Sequence, residues 1–455
     1  MEAIGKALVP FFPAAGRLAR QEDGRTAIRC EGQGVLFVEA DSDAYLDDFG
    51  DFACQPAIQQ LIPPVRTTDG MSSYPLYLFQ VTRFKCGGVS FGVKAHHYVK
   101  DGVAGIQFIN TISDFARGAP VTVTPWIDRT LLRARNPPTP KFLHVEYLPA
   151  PGLLPRKSNG TDFSPSVIKA NRTNFTAPES KSNGVKNGVQ AASDKTNGTN
   201  FAAPESKSNA VKNGVHAASD ENNGVINGVH AAGDKVAVAP LECAVVVLSK
   251  EKLAILKRKV LSKENSIRYS TYEILSAHIW KCVTRARELD GAQPTKLYVV
   301  IDGRARLVPP VPQDYFGNVV FHTTPMSTAG EIVHHPLSYA AGQIHSALAR
   351  MDDEYLKSAL DYLETQPDRT QVVRNAHLGG DPNLSITSWA RLPIYDCDFG
   401  WGRPIFMGPA RINYDGIVHV LPSPVNDGSL TLSVGMRSDY MHTFQKLILN
   451  VEDAE

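Results

Sequence analysis

Apolar and polar positions along this chain follow two rhythms, and one long stretch follows neither. "PLYLFQVTRF" (75–84) is a nearly continuous apolar run and predicts a buried strand. "KCGG" (85–88) predicts a turn, and "VSFGVKAHH" (89–97) a returning strand of alternating character. Next, "AGIQFINTISDFARG" (104–118) sets Ile106, Ile109, Ile112 and Phe115 at helical spacing, with Arg117 and Gly118 as stop signals. In the second half, "STYEILSAHIWKCVTRARELD" (270–290) opens with a capping box, Ser270 to Glu273, ahead of an apolar stripe. "KLYVVID" (296–302) and "LTLSVGM" (430–436) predict strands. Helix and strand mix in both halves, which predicts an α/β or α+β protein of two lobes.

The stretch without rhythm runs over residues 156–235. It is built of Asn, Gly, Ser, Lys and Ala, and "NFTAPESKSNGVKNGVQAASDKTNGT" (174–199) returns as "NFAAPESKSNAVKNGVHAASDENNGV" (200–225). Such units have almost nothing to bury, so the repeat predicts a disordered linker grown by duplication, not a solenoid. It divides the chain into an N-terminal lobe (1–155) and a C-terminal lobe (236–455).

Composition narrows the function classes. Lys plus Arg (47) nearly cancels Asp plus Glu (46), so no global field draws the chain to nucleic acid or anionic lipid. The six cysteines are scattered, without a C-x-x-C pair or a histidine at ligand spacing, which argues for reduced thiols in a cytoplasmic protein and against a metal site. The N-terminus lacks a signal peptide's layout and no apolar stretch approaches membrane-spanning length, so no membrane partner is expected. In a cytoplasmic chain the sequons at Asn159, Asn171, Asn174 and Asn197 are accidental.

His-x-x-x-Asp occurs at His97/Asp101, His216/Asp220, His230/Asp234 and His377/Asp381. The second and third fall in the repeats and are accidents of duplication. His97 and Asp101 instead sit where a predicted strand breaks, followed at once by Gly102, and loops of this kind often carry function. A histidine accepts a proton near neutral pH, and a positioned base contributes ~10²–10⁴-fold in rate. The acid four residues on need not touch the ring; it can hold the loop by pairing with an arginine. Spacing alone leaves both readings open, an active site or a polar corner. "YDCDFGWGRPIFMGP" (395–409) contains a DFG triplet, but no His-Arg-Asp or glycine-rich nucleotide loop accompanies it, which argues against a kinase. Gly400 and Gly402 around Trp401 predict a tight, buried turn.

In this order, His97-Tyr-Val-Lys-Asp101-Gly102 and Asp398-Phe-Gly-Trp-Gly402 resemble the plant BAHD acyl-CoA-dependent acyltransferases. The likeness extends through "ALVPFFPAAGRL", "VTRFKCGGVSFGV", "IDRTLLRARNPP", "YFGNVVF", "NLSITSW" and "LPSPVNDGSL", nearly everywhere outside the linker, and is strongest to the shikimate/quinate hydroxycinnamoyltransferases. The resemblance implies two similar lobes with a channel between them, and a monomer acting on small molecules. It needs no cofactor: the acyl-CoA is a co-substrate. His97 would be the general base. The indole N–H of Trp389 would meet the oxyanion. Asp398 is named beside the histidine in this family but holds geometry, as do Asp101, Gly102, Gly400, Trp401 and Gly402. Arg374 would clamp an acceptor carboxylate, with Thr387 beside it. CoA and acyl contacts would come from Ser270, Thr271, Tyr272 and Glu273, from Asp302, Gly303, Arg304, Ala305, Arg306, Leu307 and Val308, and from Ser388, Trp389, Ala390 and Arg391.

The chain also departs from the family pattern. It starts at "MEAIGKALVPFF", so a strand of the first lobe and side chains facing the acceptor are expected to be missing. Tyr98 and Lys100 replace smaller residues inside the His-x-x-x-Asp motif. A Lys100 turned inward would depress the pKa of His97, but corner lysines usually point to solvent. "LGGD" (378–381) stands near Arg374 in place of a different run. Another acceptor, such as an amine or a different hydroxy acid, and an inactive CoA-binding relative are the alternative readings.

Overall fold

A computed structural model describes residues 1–54, 56–64, 70, 72–120, 123–147, 239–261, 267–367 and 380–452. Residues 1–155 and 238–455 form one unit; the other, Arg156–Ala237, and with it the repeats, lies outside the described residues.

The first half folds around a three-stranded sheet. Strand β4 (Tyr77–Phe84) lies in the middle, parallel to β3 (Leu36–Ser42) and antiparallel to β5 (Val89–Ala95). A separate hairpin joins β1 (Arg17–Arg20) and β2 (Thr26–Arg29). The continuous apolar character of β4 follows from its position between two neighbours, with all but Arg83 buried. Two helices, α1 (Glu2–Leu8) and α3 (Gly102–Ala116), pack together, α2 (Pro56–Gln59) being a single turn between them in sequence. Helix α3 starts because the Asp101 side chain accepts from the Ala104 N–H at 3.0 Å, and it ends at Arg117 and a left-handed Gly118. The returning strand stops two residues before the sequence pattern suggests, so His96 and His97 lie beyond it.

The second half is a mixed sheet of seven strands in the order β6 (Leu241–Leu248), β12 (Leu430–Arg437), β11 (Ile417–Pro422), β10 (Leu384–Ser388), β7 (Pro294–Asp302) and β8 (Val320–Thr323), with β9 (Met326–Thr328) on the near end of β7. Strands β11, β10 and β7 are parallel; the outer pairings are antiparallel. One face carries the main core, where Leu297, Val299, Phe321, Ile386 and Val418 meet α5 (Thr271–Ala286) and α7 (Leu337–Ala349) around the fully buried Trp280. The capping box at Ser270 and Glu273 is formed, and the carboxylate of Glu273 also reaches His345 of α7 at 2.8 Å. Helices α4 (Lys250–Val260), α6 (Ala329–His334), α8 (Asp353–Glu364) and α9 (Ser438–Leu449) complete this half.

Contacts of several kinds weld the halves. Trp126 bridges to Tyr315 along the backbone. Arg135 binds the buried Asp361 of α8 at 2.6 Å, and the buried His144 spans Glu146 and Ser358 at 2.9 Å each. Residues 394–397 leave the second sheet to pack on Ile106 and Ile109 of α3. No described helix is long and apolar enough to cross a membrane.

Candidate active site

The His97 loop is built from both halves. Asp101 has no accessible surface, and each of its oxygens has protein partners: Oδ1 takes the Ala104 N–H and one Arg304 nitrogen at 3.1 Å, while Oδ2 takes the other Arg304 nitrogen at 2.8 Å and the Val319 N–H at 2.9 Å. Asp101 therefore acts as a cap and a cross-lobe anchor. It raises the Arg304 pKa, although burial pulls that group the other way first. Around it, the Asn318 amide donates to the His97 carbonyl at 2.7 Å, the Asp101 N–H donates to the Gly317 carbonyl, and Arg129 donates to the carbonyls of Val99 and Phe316. Arg304, Gly317, Asn318 and Val319, all more than 200 positions away, fix this loop together with Arg129, and spacing gave no sign of Asn318 or Arg129.

His97 keeps accessible surface, yet the protein around its ring disfavours charge. Burial lowers its pKa, Lys100 lowers it further, and the opposing pulls come from its own carbonyl, Asp101 and Asn318. An imidazole kept neutral in this way can accept a proton. Lys100 does not point to solvent as expected. Its chain folds against the second turn of α3, and a Cβ on Gly105 would sit 2.8 Å from its Nζ, so a glycine there makes the inward path possible. Burial depresses the Lys100 ammonium as well.

The residues expected at the CoA site fall on three segments. Ser270, Thr271, Tyr272 and Glu273 start α5; Asp302 to Val308 leave the end of β7; Ser388 to Arg391 leave the end of β10. Glu273 touches His345 and Arg306 donates to the Leu348 and Met351 carbonyls, so the α5 start and the 302–308 loop meet at the last turns of α7. Tyr272 reaches toward the Ile386 carbonyl of β10 at 3.5 Å. All three segments thus gather at the carboxyl edge of the parallel strands, where open α/β sheets bind ligands. Within them, Ser270, Asp302, Ala305, Val308 and Arg391 are exposed, and Thr271, Ser388 and Ala390 half-buried. Arg304 needs correction: it has no accessible surface and is spent on Asp101 and Asp302, so it cannot meet a phosphate. Leu307 and Gly303 are buried too, and Arg306 ties its loop to α7.

Trp389 lies at the lobe junction, half-buried against the cluster of Ile106, Ile109 and Ile394, with no described residue accepting from its indole N–H. Its ring meets that of His419 edge-on at 5.5 Å. His419 pairs in register with Thr387, and Ile386 opposite Val299 places Thr387 level with Val300, which pairs with His322. His419, Thr387, Val300 and His322 therefore form one row on the sheet face opposite the helices. Burial pushes both histidines down to about 4, so both are neutral imidazoles. His419 Nδ1 is buried with no partner among the described residues. Sequence reasoning missed both, because a lone histidine inside a strand carries no spacing signal. Arg374 and His377 lie outside the described residues; Asp381 is exposed.

The DFGWG turn differs from expectation. The Asp398 carboxylate accepts the Gly400 and Gly402 N–H groups at 2.8 and 3.0 Å, which holds its pKa below the usual carboxylate range, and both glycines have the left-handed φ that the turn requires. Phe399 packs on Phe91 with ring centroids 4.6 Å apart, but Trp401 is 60% exposed and not buried. Its ring lies 5.8 Å from that of Phe399, which takes the inner position instead.

Comparison with known proteins agrees with this architecture. The chain matches the Transferase family over residues 1–221 and 233–449. It is 46% identical to shikimate O-hydroxycinnamoyltransferase of Nicotiana tabacum over 98% of this chain and 86% of that one. It is 44% identical to a hydroxycinnamoyl-CoA:5-hydroxyanthranilate N-hydroxycinnamoyltransferase of Avena sativa over 99% and 85%. Among solved structures, F. sporotrichioides TRI101 complexed with coenzyme A and T-2 shares the fold at TM-score 0.65 and 18% identity, covering 97% of this chain and 87% of that one. Vinorine synthase does so at 0.59 and 20%, covering 99% and 83%. The protein belongs to the plant BAHD acyl-CoA-dependent acyltransferases, the Transferase family, and is an acyl-transferring enzyme.

Proposed function

We propose that this enzyme transfers a hydroxycinnamoyl group, p-coumaroyl or caffeoyl, from its CoA thioester to a hydroxyl of shikimate or quinate, with His97 as the general base. The observation that carries the reading is a neutral imidazole fixed at the lobe junction by groups from both halves; the half-buried Trp389, whose indole N–H no described residue accepts, packs on helix α3 just beyond that loop. His97 takes the proton from the acceptor hydroxyl as that oxygen attacks the thioester carbonyl. The Trp389 N–H meets the developing oxyanion, a donor set in place before charge forms. The intermediate collapses, the C–S bond breaks, and the proton on His97 passes to the departing CoA sulfur. Nothing in this sequence calls for a cofactor. CoA lies along the exposed α5 start and Arg391. Arg374 grips the acceptor carboxylate as a planar fork, and Thr387 with the neutral His419 and His322 offers hydrogen bonds to its hydroxyls.

The oat relative, named for an aminobenzoate acceptor, favours a second reading in which an amine is acylated. One assay separates the two. CoA release from p-coumaroyl-CoA is followed with shikimate, quinate and 5-hydroxyanthranilate for the wild type, His97→Ala and Arg374→Ala. His97→Ala is expected to lower kcat by ~10²–10⁴-fold, and undiminished turnover refutes the base assignment. Arg374→Ala is expected to raise KM for the carboxylated alicyclic acceptors. Faster acylation of the amine than of either alicyclic acid selects the second reading.

A further inference from the structure

All six cysteines are free thiols, and two of them, 189 positions apart in sequence, meet in the fold. Cys54 follows the turn Leu46–Phe49 in the first half and is only 7% exposed. Its thiol donates to the Pro409 carbonyl at 2.9 Å and lies 3.7 Å from Ser433 Oγ on β12. On the neighbouring edge strand β6, Cys243 pairs with Gly435, two residues along from Ser433 and therefore on the same sheet face. Gly435 has no side chain to stand between them, and a Cβ there would strike Ile412 at 2.4 Å. Cys54 and Cys243 thus face each other across the Ser433–Gly435 stretch of β12, and their mutual influence pulls Cys54 below the ordinary thiol range and pushes Cys243 above it. The arrangement is that of a thiolate held by a neighbouring thiol.

We propose that Cys54 and Cys243 are a reversible modification site, a dithiol that closes to a disulfide joining the two lobes when the enzyme meets a low-molecular-weight disulfide of the glutathione type. The reaction is two exchanges. The Cys54 thiolate attacks one sulfur of the external disulfide from the β6 edge, where Cys243 is half-buried, and expels the first thiolate. Cys243 then gives up its proton to solvent, attacks the Cys54 sulfur and expels the second thiolate. The protein loses two electrons and two protons, and the external disulfide is reduced to two thiols. The new bond costs Cys54 its donation to Pro409, in the segment that runs on from the DFGWG turn and stacks Phe406 on Phe52 at 5.1 Å.

The test needs no variant at first. The full chain is incubated with oxidised glutathione, then denatured, and its thiols are titrated while peptides are mapped without reductant. The expected result is the loss of two of the six thiols, a Cys54–Cys243 cross-linked peptide with no glutathione retained, and a raised unfolding midpoint that dithiothreitol reverses. Cys54→Ser and Cys243→Ser should each lose the cross-link and the shift. Six titratable thiols after incubation, a stable glutathione adduct on one cysteine, or a cross-link to any other cysteine would overturn the proposal. None of these readouts depends on which acyl acceptor the enzyme uses.

Discussion

The His97 loop and the DFGWG turn are equally prominent in the sequence, each a short motif with an aspartate and glycine. In the folded chain they are opposites. Asp101 has no accessible surface and binds a guanidinium from the other lobe, so its carboxylate holds two halves together. Asp398 is open to solvent on one side and accepts two N–H groups from its own turn, so its carboxylate holds only that local turn together. The contrast is that between long-range and local bonding, and it sets how far a substitution spreads. Neither aspartate needs to touch substrate for its motif to matter.

The sharpest way to break this comparison is to remove Asp101. Asp101→Ala leaves the Arg304 guanidinium buried with only the half-exposed Asp302 as counter-charge, at a cost of about 3–5 kcal/mol for an uncompensated buried ion. It also removes the cap of α3, worth roughly 0.5–2 kcal/mol. Urea unfolding should show a large fall in midpoint, with turnover lost as the His97 loop comes free. The double variant Asp101→Leu/Arg304→Met should recover part of the stability, because no buried charge remains. Equal stability of wild type and Asp101→Ala would mean that the cross-lobe pair holds nothing.

A smaller effect probes the same loop without unfolding it. Lys100 is turned inward and, after burial, is the main reason His97 resists protonation. The positive charge of the Lys100 ammonium lowers the His97 pKa. Lys100→Met removes that charge, the His97 pKa rises toward its ordinary value, and the acid limb of kcat/KM moves to higher pH. Lys100→Arg should keep the limb near its wild-type position. A limb that stays in place in Lys100→Met would show that burial alone sets the base.

These effects also mark what the sequence could disclose. Strand β4, helix α3 and the capping box of α5 were legible because their signals are local: an apolar run, a 3.6-residue spacing, a serine three residues before a glutamate. The family motifs located His97 for the same reason. The partner of Asp101 was foreseen as an arginine, but not as Arg304, which had been assigned to CoA; an arginine's type does not reveal whether it faces phosphate or core. Lys100 was misjudged because the space it enters depends on the missing Cβ of Gly105, one turn further along the helix. His419 and His322 were invisible because only the register of four strands brings them level with Thr387. Trp401 was expected inside because two glycines suggested a tight turn, but tightness fixes the backbone and not which way the indole faces.

The mildest substitution decides whether the second motif is local after all. Asp398→Ala removes an acceptor from two N–H groups that water can reach, since Gly400 and Gly402 are exposed. Hydrogen bonds replaceable by water contribute little net stability, and the two glycines retain the φ values the turn needs. The unfolding midpoint should fall much less than in Asp101→Ala, and kcat should stay close to wild type. Phe399→Ala should do more harm than Asp398→Ala, because it empties the contact with Phe91 through which this turn rests on the first lobe. If Asp398→Ala instead abolished turnover while leaving the midpoint unchanged, its carboxylate would have to act on substrate, and the division between a long-range anchor and a local one would fail.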